Sequence, residues 1–275
     1  MTICRLVPLF FLVIYSITGY AWNAAGHRLT AQIAYDNLSP AAKNMCGHLL
    51  DVKEQALEAN FVDSSVWLDA IRKKNIYQFA SLHYVDIPFT KDKSKLPKIK
   101  PRNAIWAIKQ AILVLSSNKT NNAVKVLNLK ILIHVVGDIH QPLHATTKVS
   151  RRLPKGDLGG NLYLLSRSPY GKNLHQYWDN GAGILNYKNL NEIQAKAHFL
   201  EKTRPCYLAP AQKSPEQWAT TAHYLAINQA YSIRTHKQPS KNYQLNVRQI
   251  TEDQIVLAGC RLAQVLNAIA ASTSY

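Results

Sequence analysis

Residues 131–145 read Ile-Leu-Ile-His-Val-Val-Gly-Asp-Ile-His-Gln-Pro-Leu-His-Ala. Their apolar character and spacing predict a buried helix that carries His134 and Asp138 four residues apart on one face. Pro142 lacks the amide hydrogen that a helix interior requires, so we expect it to end or bend the helix and redirect His144. Because an imidazole and a carboxylate at this spacing can bind one cation, the stretch predicts a metal site on a core helix.

Apolar residues recur at helical spacing through most of the remaining chain, which predicts a mainly α-helical fold. The long helices carry apolar stripes suited to packing around one core, and no repeat or low-complexity linker divides the chain, so we expect a single domain. Stretches that favour strands are few and short, at residues 83–87 and 161–165. The longest predicted helices cover residues 103–117, 121–139, 215–234 and 252–271.

Three positions carry helix-start signals. Ser39 precedes a proline, as at an N-cap followed by the first helical residue. Ser214 and Thr251 are each followed three residues later by glutamine, the pattern of a capping box. We therefore expect helices to begin after all three residues.

The composition excludes a disordered chain and favours polyanionic partners. Of the 275 residues, 47% are hydrophobic and only 18% are charged, which is enough apolar material for a core. The formal net charge is +17. Such a charge attracts nucleic acids, anionic membrane surfaces and acidic small molecules alike.

The first 21 residues have the features of a signal peptide. Arg5 precedes the apolar run 6–15, and small residues end the segment at Ala21. Cleavage there would remove one positive charge and leave a chain of net charge +16 that begins at Trp22. No later run offers the roughly 20 apolar residues of a spanning helix, so we expect export to the periplasm or the medium without a membrane anchor.

Three cysteines remain after this cleavage: Cys46, Cys206 and Cys260. An odd number in an oxidising compartment suggests one disulfide and one free thiol. The spacing does not fix the connectivity, and Cys206 with Cys260 is our working pair.

Further candidate ligands lie elsewhere in the chain. His175 and Asp179 repeat the spacing of four residues. Asp69 lies on a predicted helix and His83 opens a predicted strand; alone, each is equally compatible with a structural role.

The mature terminus offers another nitrogen ligand. Signal-peptide removal would free the α-amino group of Trp22, which can bind a metal together with its own carbonyl oxygen, and His27 is close enough to join it. In the precursor this nitrogen is an amide and cannot bind in this way. Processing would therefore complete the metal site after export.

With these residues in view, the chain resembles the S1/P1 nuclease family from Trp22 to about residue 267. The long motif from His134 to His144 is specific, and the shorter ones occur in the family's order. The shorter motifs are Trp-x-x-x-Gly-His at 22–27, Trp-x-Asp-x-x-Arg at 67–72, Leu-His-Tyr-x-Asp at 82–86, Gly-Gly-Asn at 159–161, Asn-Leu-His-x-x-Trp-Asp at 173–179 and Ala-Gly-x-Arg-Leu-Ala at 258–263.

The resemblance implies a helical phospholipase C/P1 nuclease-like fold with three Zn²⁺ ions. Nitrogen and oxygen ligands without cysteine suit catalytic zinc. His140 lies inside the long motif but is not a family ligand, so we interpret it as supporting or structural. The implied ligand groups are Asp69, His83, His134 and Asp138; Trp22, His27 and the same Asp138; and His144, His175 and Asp179.

The implied reaction is hydrolysis of the P–O3′ bond in single-stranded DNA and RNA, which leaves 5′-phosphorylated products, together with 3′-nucleotidase activity on 3′-nucleotides. Clustered zinc offsets the phosphate charge and supplies hydroxide at neutral pH. Asp69 would orient the attacking water or accept its proton, and Arg72 would stabilise the transition-state charge.

Three further residues align with substrate-binding positions of the family. Tyr84 and Asp86 match the base-binding positions, although core packing is an equally good explanation for Tyr84. Asn161 is a weaker candidate for the same pocket. A basic monomer with this site would act on flexible single strands, whose bases can unstack onto aromatic side chains.

Two segments concentrate positive charge directly after predicted ligands. Residues 91–102 hold six basic residues and one acid, and residues 148–155 hold four basic residues. Runs of this kind are commonly solvated surface. Because they follow His83 and His144, we expect them instead to hold strand phosphates beside the metals.

Two other functions compete with the nuclease. A zinc-dependent phospholipase C is related in fold and uses a similar central motif, but it pairs its last histidine with glutamate where Asp179 stands here. A zinc-storage or nucleic-acid-binding protein would explain the ligands and the charge without catalysis. It would not explain why Asp69 and Arg72 accompany an open site.

Overall fold

The computed structural model describes residues 22–208 and 214–273. The predicted signal peptide lies outside these residues. Ten α-helices form most of the described structure. They are α1 (Ala24–Asp36), α2 (Pro40–Leu50), α3 (Glu54–Ser64), α4 (Trp67–Lys73), α5 (Ala104–Leu115), α6 (Asn122–His140), α7 (Leu174–Asp179), α8 (Leu190–Thr203), α9 (Pro215–Asn228) and α10 (Lys241–Ser272).

Helix α6 lies at the centre of the main core. Leu132, Val135 and Ile139 are fully buried on it, and residues of α1, α2, α3, α5, α9 and α10 complete the same apolar cluster. Because the helix is surrounded, its polar residues His134 and Asp138 are also fully buried. The mainly α-helical prediction is confirmed. The fold buries the polar groups of His134 and Asp138 away from water, where only a ligand or another protein group can form their polar contacts.

Two of the three helix-start predictions are confirmed. Ser39 Oγ accepts a hydrogen bond from the Ala42 amide at 3.2 Å, and Ser214 forms a complete capping box with Gln217. The prediction at Thr251 is wrong. Helix α10 begins after Ser240 and continues through Thr251, which is buried, because packing over the whole helix outweighs a local capping signature.

The predicted helices at 103–117 and 121–139 match α5 and α6 closely. The prediction at 215–234 extends too far, because α9 ends at Asn228. A short 3₁₀ turn, Ala230–Ser232, follows and buries Tyr231. The prediction at 252–271 covers only the second part of α10.

Both strand predictions are wrong in position. The two short strands of the described residues are β1 (Pro88–Thr90) and β2 (Thr147–Val149), which pair in parallel. Residues 83–87 precede β1, and His83 ends a 3₁₀ turn. Residues 161–165 contribute one isolated bridge, Leu164 with Asn173. Pairing between segments nearly 60 residues apart selects the strands, and local propensity does not encode that pairing.

The disulfide prediction is confirmed, since Cys206 is bonded to Cys260. Cys46 is a buried free cysteine, and burial raises the pKa of its thiol to about 12. Helix α10 is long and apolar enough to cross a membrane, contrary to expectation, but 67% of its most apolar window is buried inside the protein. That burial is typical of a core helix.

Candidate metal centre

Helix α6 supplies the first two donors of the site. His134 Nδ1 is 2.6 Å from the Ser65 carbonyl oxygen, to which it donates, so the lone pair lies on Nε2. This Nε2 is 3.2 Å from Asp138 Oδ2. The predicted geometry of the two residues is therefore present on one helix face.

The first turn of α4 and the 3₁₀ turn Ala80–His83 bring Asp69 and His83 to this pair. His83 Nδ1 lies 3.1 Å from Asp138 Oδ2, 3.0 Å from His134 Nε2 and 3.9 Å from Asp69 Oδ1. Two imidazole nitrogens at 3.0 Å, both beside carboxylates, form a cage for a cation. The structure thus brings together the four residues of the first predicted group.

The start of α1 approaches Asp138 from the other side. His27 Nε2 lies 3.4 Å from Asp138 Oδ1, and its ring stacks on that of His134 at 4.0 Å between centroids. Gly137 permits this approach, because a Cβ atom there would lie 3.1 Å from His27 Nδ1. Trp22 is fully buried at the entrance to the helix. Asp138 is therefore positioned between two donor groups.

The third group forms where the chain turns after α6. His144 Nε2 and His175 Nε2 are 3.1 Å apart, and the latter is 3.5 Å from Asp179 Oδ2. The Nδ1 atoms of both histidines lie 2.7 Å from carbonyl oxygens, those of His83 and Gly159, and these contacts orient the rings. As predicted, Pro142 follows the end of α6, in the 3₁₀ turn that places His144.

The donor atoms fit metal ions. Three groups of buried side chains have their donor atoms within 4.8 Å of one another: His27 with Asp69 and His134, His83 with His134 and Asp138, and His144 with His175 and Asp179. Several side-chain atoms of these residues are buried and make no hydrogen bond to protein, which is costly unless a bound ion or another partner satisfies them. These atoms are both nitrogens of His27, Nε2 of His83, Oδ1 of Asp69, both carboxylate oxygens of Asp138 and Oδ2 of Asp179.

The grouping differs in one respect from the prediction. His27 and Asp69, assigned to separate ions, lie in one group with His134. His134 also belongs to the group of His83 and Asp138, and His27 Nε2 lies near Asp138 Oδ1, so the first two predicted groups are continuous.

The electrostatics of the centre are those of a cation site. Burial lowers the pKa of His27 to about 3, so this imidazole is neutral and can bind a metal. Burial also acts against the charged form of His134, but the charge of Asp138 raises its pKa to about 9, so a metal ion that binds Nε2 would have to displace a proton. Burial opposes ionisation of Asp138, yet His134 and His83 hold the pKa of that carboxyl well below its usual range.

Asp179 lacks such compensation. Burial raises its pKa well above the usual range, and the hydrogen bond from Gln141 Nε2, at 2.6 Å from Oδ1, opposes the shift only partly. A bound cation would supply the positive charge that the third group needs in order to ionise this carboxyl.

The remaining predicted residues surround the donor groups. Arg72 Nη2 is 3.7 Å from Asp69 Oδ1, one turn along α4. Tyr84 and Asp86 follow His83 and are partly buried; burial raises the pKa of Asp86 to about 6. Asn161 is 7% exposed, and its Oδ1 makes no hydrogen bond to protein. Polar groups thus border the centre on the side of His83 and on the side of His175.

His140 faces away from the donor groups. Its Nδ1 lies 2.7 Å from the Val136 carbonyl oxygen, and Arg261 Nη1 donates to its Nε2 at 2.7 Å. Burial lowers the pKa of His140 to about 3, which keeps the ring neutral beside the guanidinium. This position agrees with a structural role.

Two supporting residues were not predicted. Gln141 bonds Asp179, and its position inside the apolar 131–145 stretch was the available signal. Asp157 is 2% exposed and accepts hydrogen bonds from the Lys148 amide at 2.9 Å, the Gly160 amide at 3.1 Å and the Tyr231 hydroxyl at 2.8 Å. It fixes the turn whose Gly159 carbonyl orients His175, and its place two residues before the Gly-Gly-Asn motif was the only hint.

The chain is similar to a family of nucleases. A family model described as S1/P1 Nuclease matches residues 22–271. Endonuclease 5 of Arabidopsis thaliana is 26% identical over an alignment that covers 90% of this chain and 90% of the relative. Nuclease S1 of Aspergillus oryzae is 25% identical over 58% of this chain and 54% of its own length, and Nuclease P1 of Penicillium citrinum is 26% identical over 58% and 57%.

Proposed function

Because the chain belongs to the S1/P1 nuclease family, and is therefore a phosphodiester hydrolase, we propose that it is an exported zinc-dependent endonuclease of single-stranded DNA and RNA. It cleaves the P–O3′ bond, releases 5′-phosphorylated products and also removes phosphate from 3′-nucleotides. The observation that carries the proposal is the convergence of three His/Asp donor groups, two of which share His134.

We assign three Zn²⁺ ions to the groups given by the resemblance, with Asp138 shared between two of them. Zinc bound there supplies Lewis acidity, which offsets the charge of the phosphodiester and makes a water molecule acidic at neutral pH. The absence of thiolates from the donor set and the orienting carbonyl contacts of His134, His144 and His175 support this assignment.

The protein's own groups have distinct roles in the proposed reaction. Asp69 orients the attacking water and accepts its proton, since its Oδ1 is buried without a hydrogen bond to protein. Arg72 reaches toward the same carboxylate and stabilises the charge that develops on phosphate. Tyr84, Asp86 and Asn161 hold the base next to the scissile phosphate, through the ring face and through polar contacts.

Export and processing belong to the proposal. Removal of residues 1–21 frees the amino group of Trp22, and the Cys206–Cys260 disulfide suits an oxidising compartment. The Asn23 amide donates to the Asp179 carbonyl oxygen at 3.0 Å, which ties the terminus to the third donor group. We expect the exported protein to act as a monomer.

The test compares a protein that begins at Trp22 with one that retains Ala21. Release of acid-soluble product from single-stranded DNA and RNA is measured, with chelator and with zinc. We expect activity from the first protein, loss with chelator, recovery with zinc, and weak activity from the second. Equal nuclease activity from both proteins would exclude the amino group as a metal ligand. A zinc-loaded protein that cleaves phospholipid head groups but not nucleic acid would instead support the phospholipase C alternative.

A further inference from the structure

The two basic segments lie side by side. We call residues 91–102 and 148–155 the first and second basic loops. Strands β1 and β2 run parallel with Phe89 beside Lys148, so the chain leaves the same end of the sheet after Thr90 and after Val149. Sequence alone placed these loops after two different ligands; the pairing of the strands places them next to each other.

A single carboxylate joins the loops. Asp92 Oδ2 accepts a hydrogen bond from the Arg151 amide at 3.0 Å. Its Oδ1 accepts from the Ser94 amide at 3.1 Å and from the Thr90 hydroxyl at 2.8 Å. The only acid of the first loop therefore bonds the backbones of both loops and does not pair with a basic side chain by these bonds.

The joined loops border the candidate metal centre at two points. Directly after the first loop, the Ala104 amide donates to the carbonyl oxygen of Tyr84, the residue that follows His83, at 3.0 Å. The second loop begins at Lys148, whose amide donates to Asp157, the residue that fixes the Gly159 turn. The exposed basic residues of the two loops are Lys91, Lys93, Lys95, Lys98, Lys100, Arg102, Arg151, Arg152 and Lys155.

We propose that the two loops form one surface that binds the backbone phosphates of a polynucleotide outside the scissile position. This inference rests on the proposed nuclease function and adds a substrate preference to it. Each cation on the surface displaces counterions from the strand, so affinity rises with strand length and falls with salt. The enzyme favours long strands over dinucleotides.

The structure favours a nucleic acid over an anionic membrane. Leu96 and Ile99 are each 45% exposed between lysines of the first loop, a composition that a membrane surface also attracts. However, the described residues 91–102 form no helix, whereas interfacial membrane binding generally uses an amphipathic helix. Hydrogen bonds also tie the ends of the two loops to residues next to the donor groups of the centre that would act on phosphodiesters.

The first test neutralises three exposed cations, with a matched control. The loop variant is Lys95→Gln/Arg151→Gln/Arg152→Gln. The control variant, Lys53→Gln/Lys119→Gln/Lys202→Gln, also removes three exposed charges. Lys53 precedes α3, Lys119 precedes α6 and Lys202 lies in the last turn of α8, so none of them is adjacent in the chain to a donor residue.

Two readouts are compared. One is the ratio of kcat/KM for a single strand of about 20 nucleotides to that for a dinucleotide. The other is binding of a nuclease-resistant phosphorothioate strand between about 50 and 200 mM salt. In the loop variant we expect the ratio to fall at least about tenfold and the logarithmic salt slope to become shallower by about 0.7 for each lost contact. The control variant should keep both values.

A second variant separates organisation from total charge. Asp92→Ala makes the protein more positive, so attraction by net charge alone predicts tighter strand binding. Loss of the bonds that join the loops predicts weaker binding and a lower length ratio, which is the result we expect. A higher ratio in Asp92→Ala would overturn the joined surface.

The outcomes distinguish this inference from the proposed function. If the wild type cleaves both substrates but the loop and control variants have equal ratios and slopes, the surface is wrong and the nuclease stands. If the zinc-loaded wild type cleaves neither substrate, the proposed nuclease function is wrong. Binding of the phosphorothioate strand then still tests whether the two loops bind a polynucleotide. Loss of binding to anionic phosphatidylglycerol vesicles in the loop variant, with unchanged strand binding, would overturn the proposal in favour of a membrane.

Discussion

Replacement of Asp157 by alanine tests how the fold orients the third donor group. The carboxylate accepts hydrogen bonds from the Lys148 amide, the Gly160 amide and the Tyr231 hydroxyl. A buried donor without a partner costs about 1–3 kcal/mol, so losing this carboxylate should lower the free energy of unfolding by about 3–5 kcal/mol. The loss stays below the sum for three unpaired donors, because water can reach the turn beside the half-buried Lys148 and replace part of the lost hydrogen bonding.

The same change should weaken the third metal group. The Gly159 carbonyl lies within the turn that Asp157 fixes, and it receives the hydrogen bond from His175 Nδ1. Loss of an outer partner of this kind lowers metal affinity by about 10- to 100-fold. Asp157→Ala should therefore release one equivalent of zinc to a chelator at lower chelator concentration than the wild type does.

The assays are urea unfolding and zinc release to a competing chelator, with Tyr231→Phe as the matched control. That variant removes a single hydrogen bond to the carboxylate and should cost about 1 kcal/mol. The double variant Asp157→Ala/Tyr231→Phe leaves no tyrosine hydroxyl without a partner. Its loss of unfolding free energy should therefore be less than the sum of the losses in the two single variants. An Asp157→Ala variant that unfolds within about 1 kcal/mol of the wild type and keeps all its zinc would contradict this role of Asp157.

Three further predictions concern packing, covalent linkage and pH. Gly259→Ala should lower the unfolding free energy by about 1–3 kcal/mol, because the new Cβ would lie 2.7 Å from Ile33 where α10 crosses α1; an unchanged urea midpoint would contradict it. Removing the Cys206–Cys260 disulfide, which links residues 54 apart, should cost about 4 kcal/mol in the chain-entropy model, measured by comparing oxidised and reduced protein; equal midpoints would refute this. Burial, together with a neighbouring carboxylate, raises the pKa of Glu201 to about 7. The folded state therefore binds this proton more tightly than the unfolded state, and stability falls as pH rises from about 5 through 7; Glu201→Gln should flatten that dependence, and an identical pH profile would count against it.

Local sequence determines the features whose partners are close in the chain. The pairs His134–Asp138 and His175–Asp179 follow from the helical repeat, which places residues four apart on one face. The end of α6 before Pro142 follows from the missing amide hydrogen of proline. The mainly α-helical class and the caps at Ser39 and Ser214 likewise depend on residues within one turn of each other.

Other features depend on contacts between distant segments. Asp69 and His83 have no local signal that distinguishes a ligand from a solvated or structural residue, and only packing of α4 and the following 3₁₀ turn against α6 brings them to Asp138. The strands form where residues 88–90 meet residues 147–149. Helix α10 continues through Thr251, because packing along the whole helix outweighs the local capping signature. Short-range rules cannot identify these partners.

Composition and the helical repeat thus account for the helical class, the residue types of the donor groups and the positive charge of the two basic loops, because each is a property of composition or of one helical turn. Contacts within the fold bring His27 together with Asp69 and His134. They also place Asp157 where it supports His175, and Asp92 where it joins the two loops. Each of these is a buried or backbone contact between two segments that are far apart in the chain, and separation in the chain does not predict which segments meet in space.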